Sequence, residues 1–102
     1  MDRQGIRHMV IFCLKHPAGS AEERQFLEDG RKILTTIPVV RYSEVFRQVS
    51  GKNGYDYGFS MEFNSQEDYE AYNIHPAHVQ FVSERWEREV SRFLEIDFKL
   101  YE

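Results

Sequence analysis

One cysteine, Cys13, is all the chain contains, so no internal disulfide can form, and such sparing use fits a reducing compartment. No stretch approaches the ~20 consecutive apolar residues of a membrane span. The apolar run in MDRQGIRHMVIFCLKH is too short for a secretory leader and is followed by Lys15 and His16, so a cytoplasmic location is expected. No run of like charge occurs. The balance of 13 basic against 17 acidic residues gives a net charge of −4, which disfavours a nucleic-acid partner, because neutralising phosphates needs a basic face. Linkers, repeats and low-complexity segments are also missing. At 102 residues the chain therefore reads as one domain, residues 1–102, with one core and little stability to spare.

What is present in excess is aromatic: eight Phe, six Tyr and one Trp, or 15%. Tyrosine pairs an apolar body with a polar tip, which suits pocket walls and interfaces. IRHMVIFCLK, residues 6–15, reads as a strand with His8, Val10, Phe12 and Leu14 on one face and Met9, Ile11 and Cys13 on the other. Both faces are apolar, so both need covering. Ser20 and Glu23 form a capping box that opens a helix running to about Thr35, striped by Phe26, Leu27, Ile33 and Leu34. Gly30 inside it implies close packing or reserved space. The residue before Pro38 is pushed out of the helical region. Strands at 40–50 and 55–63 follow, joined by GKNG, with Tyr55, Tyr57, Phe59, Met61 and Phe63 sharing a face. Ser65 caps a short helix that ends at His75-Pro76. A longer helix continues, striped by Val79, Val82, Trp86, Val90 and Phe93, and 93–101 alternates as a fourth strand. The order β-α-β-β-α-β is the ferredoxin-like pattern: α+β, with an antiparallel four-stranded sheet, helices on one face, and the second helix broken near residue 75. The uncovered face of the first strand is left for a second copy of the chain.

The chemistry concentrates in YNIHPAHVQF, residues 72–81. Imidazole titrates near pH 6.5 and takes and returns protons at neutral pH, and a nearby tyrosine can donate to a developing oxyanion. His78 with Tyr72 is the better candidate for such work; His75 is expected to shape the turn. His8 sits on an apolar strand face, where a lone histidine is more often a satisfied core residue, and it gains interest only if other polar groups converge on it. His16, in a turn, is expected to be solvated. An HxxH pair with His8 as third ligand would make a zinc site, but HExxH is absent and no carboxylate lies at a telling spacing, so no metal is expected. Cys13 points away from His8 and reads as a buried apolar residue.

The histidine-bearing first strand, the central IPVV, and above all YNIHPAHVQF followed by an amphipathic helix resemble the stress-responsive A/B barrel (Dabb) family across nearly the whole chain. The resemblance implies a homodimer whose sheets pack face to face into an α/β barrel. It also implies a pocket in each subunit between sheet and helices, taking a small apolar or aromatic ligand. By similarity to a polyketide cyclase of that family, His78 would remove a proton next to a carbonyl. Tyr72 would orient His78 and hold the oxyanion, and His8 would complete a cofactor-independent site. Val10, Phe12, Tyr57, Phe59, His75 and Phe81 are the expected ligand wall. A pocket histidine of that cyclase falls at Tyr57 here, and a pocket tyrosine falls at or near Gly30, so substrate shape differs. A small-molecule cyclase, isomerase or lyase and a non-catalytic, stress-related ligand-binding protein are the two functions this leaves open.

Overall fold

A computed structural model describes residues 2–102. The chain runs β1 (Ile6–Leu14), α1 (Ala21–Thr35), β2 (Arg41–Arg47), β3 (Tyr57–Phe63), α2 (Gln66–Ile74), α3 (Pro76–Phe81), a π-helical turn (Val82–Trp86), a short α4 (Glu87–Glu89) and β4 (Val90–Phe98). The strands form one antiparallel sheet in the order β2-β3-β1-β4. This is the ferredoxin-like α+β fold expected from the element order. The first three strands are shorter than the apolar patterns suggested, while β4 keeps its length but begins three residues earlier, because Val90 already pairs with Leu14.

Local chemistry sets the helix ends. Ser20 accepts the Glu23 amide at 3.1 Å, and Ser65 accepts the Asp68 amide at 3.2 Å, each satisfying an orphan donor of a first turn. Glu23 does not reach back to Ser20 as a capping box would. It is buried; one carboxylate oxygen accepts the Gly19 amide and the other the Tyr57 hydroxyl, so the start of α1 is tied to β3. The helix break is backbone chemistry as well: His75 is extended, with φ −64° and ψ 135°, and Pro76 occupies the first position of α3.

The helices cover one face of the sheet. Phe12, Phe26, Ile37, Phe59, Met61 and Phe63 are the most deeply buried side chains. Removing each from water stabilises the fold by about 1.5–3 kcal/mol. Gly30 brings α1 down onto this layer: a Cβ there would lie 2.7 Å from the Phe59 ring and 3.2 Å from the Phe81 ring. Close packing, not reserved space, accounts for that glycine.

Two patterns turned out differently. The stripe Val79-Val82-Trp86-Val90-Phe93 assumes α-winding throughout. Instead Val79 is 52% exposed, and the line turned inward to the cavity runs His78, Phe81, Val82, Trp86. At about 100° per residue, α-winding sets Trp86 on the side of Val79. The wider π turn rotates it back towards His78 and Phe81. Val90 and Phe93 belong to β4, not to the helix. In β4 itself the polar residues Glu95 and Asp97 pair with Val10 and His8 and so share their helix-covered face. Leu94, Ile96 and Phe98 pair with Ile11, Met9 and Arg7 on the open face, where Leu94 and Phe98 are about half exposed. Among the described residues no helix is long and apolar enough to cross a membrane.

Candidate active site

A cavity of about 200 Å³ lies between the sheet and the second helical segment. Its polar end is made by His8, Tyr72, His78 and Glu95. Val10, Leu34, Phe59, Met61, Phe81, Val82, Trp86 and Phe93 form the apolar wall. All three residues expected to carry chemistry are thus brought together from separate elements: His8 from β1, Tyr72 from α2, His78 from α3. Their rings are close neighbours, with centroids 5.8 Å apart for His8 and Tyr72 and 4.3 Å apart for Tyr72 and His78.

Each histidine has one nitrogen committed. His8 Nδ1 meets Asp97 Oδ1 at 2.6 Å, so in the neutral imidazole Nδ1–H donates to the carboxylate and Nε2 carries the free lone pair. Tyr69 donates its hydroxyl to the other Asp97 oxygen at 2.9 Å and packs against the His8 ring at 5.3 Å. Burial, then the Asp97 hydrogen bond, pushes the Tyr69 phenol up to about 12. His78 Nδ1 donates to the Asn73 carbonyl at 3.1 Å, which leaves Nε2 as the basic nitrogen. Burial lowers His78 below its ordinary value of 6.5, against a smaller upward push from that carbonyl, so the ring is neutral at pH 7. Tyr72 is raised well above the usual phenol range, chiefly by burial, and stays protonated.

The Tyr72 hydroxyl and His8 Nε2 bond to no described residue, and no sealed polar side-chain atom among the described residues lacks a partner. Both atoms therefore open onto the cavity they line. Tyr72 does not orient His78 by a hydrogen bond; the two touch through their rings, and the Asn73 carbonyl fixes the imidazole.

Of the expected ligand wall, Val10, Phe59 and Phe81 line the cavity. Phe12 lies deeper, fully buried and packed on Phe26, Phe59 and Trp86. Tyr57 is turned to Glu23. Burial, followed by that hydrogen bond, raises its phenol to about 12. His75 spends Nδ1 as the cap of α3, accepting the Ala77 amide at 3.1 Å. His75 and His78 thus serve different backbone atoms. Among the described residues no group of three or more His, Cys, Asp or Glu side chains is placed to hold a metal ion.

His16 is partly buried and paired instead of free in solvent: Nε2 lies 2.7 Å from Glu89, which also holds Arg85 at 2.5 Å. Cys13 is half-buried rather than core, and its thiol donates to the Gly54 carbonyl at 3.1 Å.

The residues missed from sequence are Asp97, Tyr69, Glu95 and Trp86. Asp97 and Glu95 come from 85 or more positions away along the chain from β1, as their pairing with His8 and Val10 requires. A buried strand histidine needs a hydrogen-bond partner, and the alternating carboxylates of the last strand were the signal for it.

A ferredoxin-like α+β layer with a histidine- and tyrosine-lined cavity under its helices is the class that fold and site define. The stress responsive A/B barrel domain family matches residues 6–100, and the chain belongs to that family. It is 28% identical over 79 residues to olivetolic acid cyclase of Cannabis sativa, covering 74% of this chain and 78% of that protein. A Dabb family protein of ferredoxin-like fold from Mesorhizobium loti shares 53% identity at a TM-score of 0.91, covering 92% of this chain and 94% of the other. The hydroxynitrile lyase of Passiflora edulis has the same fold at 14% identity, with a TM-score of 0.84 over 99% of this chain and 97% of its own.

Proposed function

We propose that the protein is a cofactor-independent acid/base enzyme of the cyclase, isomerase or lyase type, acting on a small carbonyl compound with an apolar or aromatic body. The observation that carries this reading is the convergence of two oriented imidazoles and a free phenol on one cavity. Neutral His78 takes the proton from a carbon next to the carbonyl onto Nε2. The electron pair left behind moves to the carbonyl oxygen, which receives a hydrogen bond from Tyr72. His78 then returns the proton from Nε2 to the substrate, and His8, held by Asp97, has the free lone pair at Nε2 to accept any second proton the reaction releases. The 28% identity to olivetolic acid cyclase supports a cyclase among the reactions of this type.

The test is solvent deuterium exchange into phenylacetone, followed by NMR. The protein should accelerate exchange, and His78→Ala or Tyr72→Phe should each reduce it by about 10²–10⁴-fold. No acceleration by the unaltered protein sinks the reading. A non-catalytic binding protein is the second reading, favoured by the mainly apolar wall. It predicts retained ligand affinity with no exchange in any variant.

We further propose that the chain works as a homodimer joined through the open sheet face, where Met9, Ile11, Leu94, Ile96 and Phe98 form an apolar stripe.

A further inference from the structure

Glu95 is unassigned by the acid/base reading. It stands on β4 opposite Val10, lines the cavity, and is exposed, which puts its carboxylate at the rim. It makes no hydrogen bond or ion pair with any described residue, unlike Asp97 two positions on, which is held by His8 and Tyr69. Among the described residues no lysine or arginine lines the cavity. His78 is neutral at pH 7, and the His8–Asp97 pair carries no net positive charge in either state of the imidazole. The charge of Glu95 is therefore unbalanced within the cavity. The same cavity is lined by the aromatic side chains of Phe59, Tyr72, Phe81, Trp86 and Phe93. Aromatic rings attract a cation over their faces, and more strongly where water is excluded. The field of Glu95 reaches the polar end too, since it opposes ionisation of Tyr72 and favours protonation of His78.

We infer that Glu95 is a specificity-determining residue that selects ligands carrying an ammonium or other strong hydrogen-bond donor beside the aromatic body, and turns away carboxylates. The inference deepens the proposed function by naming the ligand class for the same cavity, and it concerns binding, so it stands or falls apart from catalysis.

The sole tryptophan lies in the cavity wall, so its fluorescence reports occupancy directly. Three probes of nearly equal size, benzylamine, benzyl alcohol and benzoate, should be titrated at neutral pH into the unaltered protein and Glu95→Gln. Benzylamine should bind at least about tenfold more tightly than benzoate at low salt, with the gap narrowing as salt rises, as expected for a rim charge. Glu95→Gln should weaken benzylamine, strengthen benzoate and leave benzyl alcohol unchanged. Equal affinity for the two ions in the unaltered protein would overturn the inference. So would the same order surviving in Glu95→Gln, or no saturable response to any of the three. Loss of deuterium exchange with the probe order intact would strike only the catalytic reading.

Discussion

Single side chains decide the chemistry here through what holds their second atom. His78 is a base because the Asn73 carbonyl takes its Nδ1 proton, and it is neutral because burial lowers it. The acid limb of a kcat/KM profile should therefore have its midpoint below 6.5, measurable by turnover across pH. The same shift touches stability. Below 6.5 the unfolded chain binds the proton first, so stability should fall from there until the folded value is passed, and His78→Gln should flatten that part of a urea-denaturation series. The Tyr57–Glu23 bond gives a second case. The hydrogen bond from Tyr57 is the main reason Glu23 lies below 4.5, so its contribution is present above 4.5 and lost as pH falls through the folded value. Tyr57→Phe should cost about 1–3 kcal/mol at neutral pH, read from the denaturation midpoint, with less further loss in acid. His78, Tyr72 and His8 were legible because HPAH and a lone strand histidine are local features. Tyr57 and Phe12 do lie on the helix-covered face but farther along their strands, where Tyr57 bonds Glu23 and Phe12 packs on Phe26, and His75 is spent on the α3 cap; alternation gives a residue's face and not its neighbours across the layer.

Elements were legible where a cap or a proline marks them and obscure where winding changes. Ser20, Ser65 and Pro76 each fixed a helix start correctly. No residue announces the π turn at Val82–Trp86, and without it Val79 looks like a core position. The turn is what sets Trp86 beside Phe12, at 4.9 Å between ring centroids, and edge-on to Phe93 at 5.5 Å. Deleting exposed Ser83 should remove the extra residue of the turn and restore α-winding with the indole still on the side of His78 and Phe81, so its emission should stay unchanged; a red shift would count against this role. α1 meets the same layer at Gly30. Gly30→Ala should drive the Phe59 ring aside, costing about 1–3 kcal/mol in chemical denaturation and narrowing the cavity.

At the level of the whole molecule, the sheet has one face under helices and one open. That arrangement followed from β1, whose two faces are both apolar, together with the β-α-β-β-α-β order. What stayed hidden was the orientation of β4, because an alternating strand does not declare which side meets water. If the open face joins two copies, Ile96→Lys should yield a monomer in sedimentation at micromolar concentration while the helix-covered cavity persists. A monomer for the unaltered chain would refute the dimer. One consequence of β4 concerns how the gene can change. Its outward positions hold the proposed contact between copies and its inward positions hold Glu95 and Asp97, in strict alternation. Substitutions can adjust either set alone. An inserted or deleted codon cannot, since a slip by one residue exchanges the two faces. A strand with mostly exposed residues should thus accept many replacements yet almost no change of length.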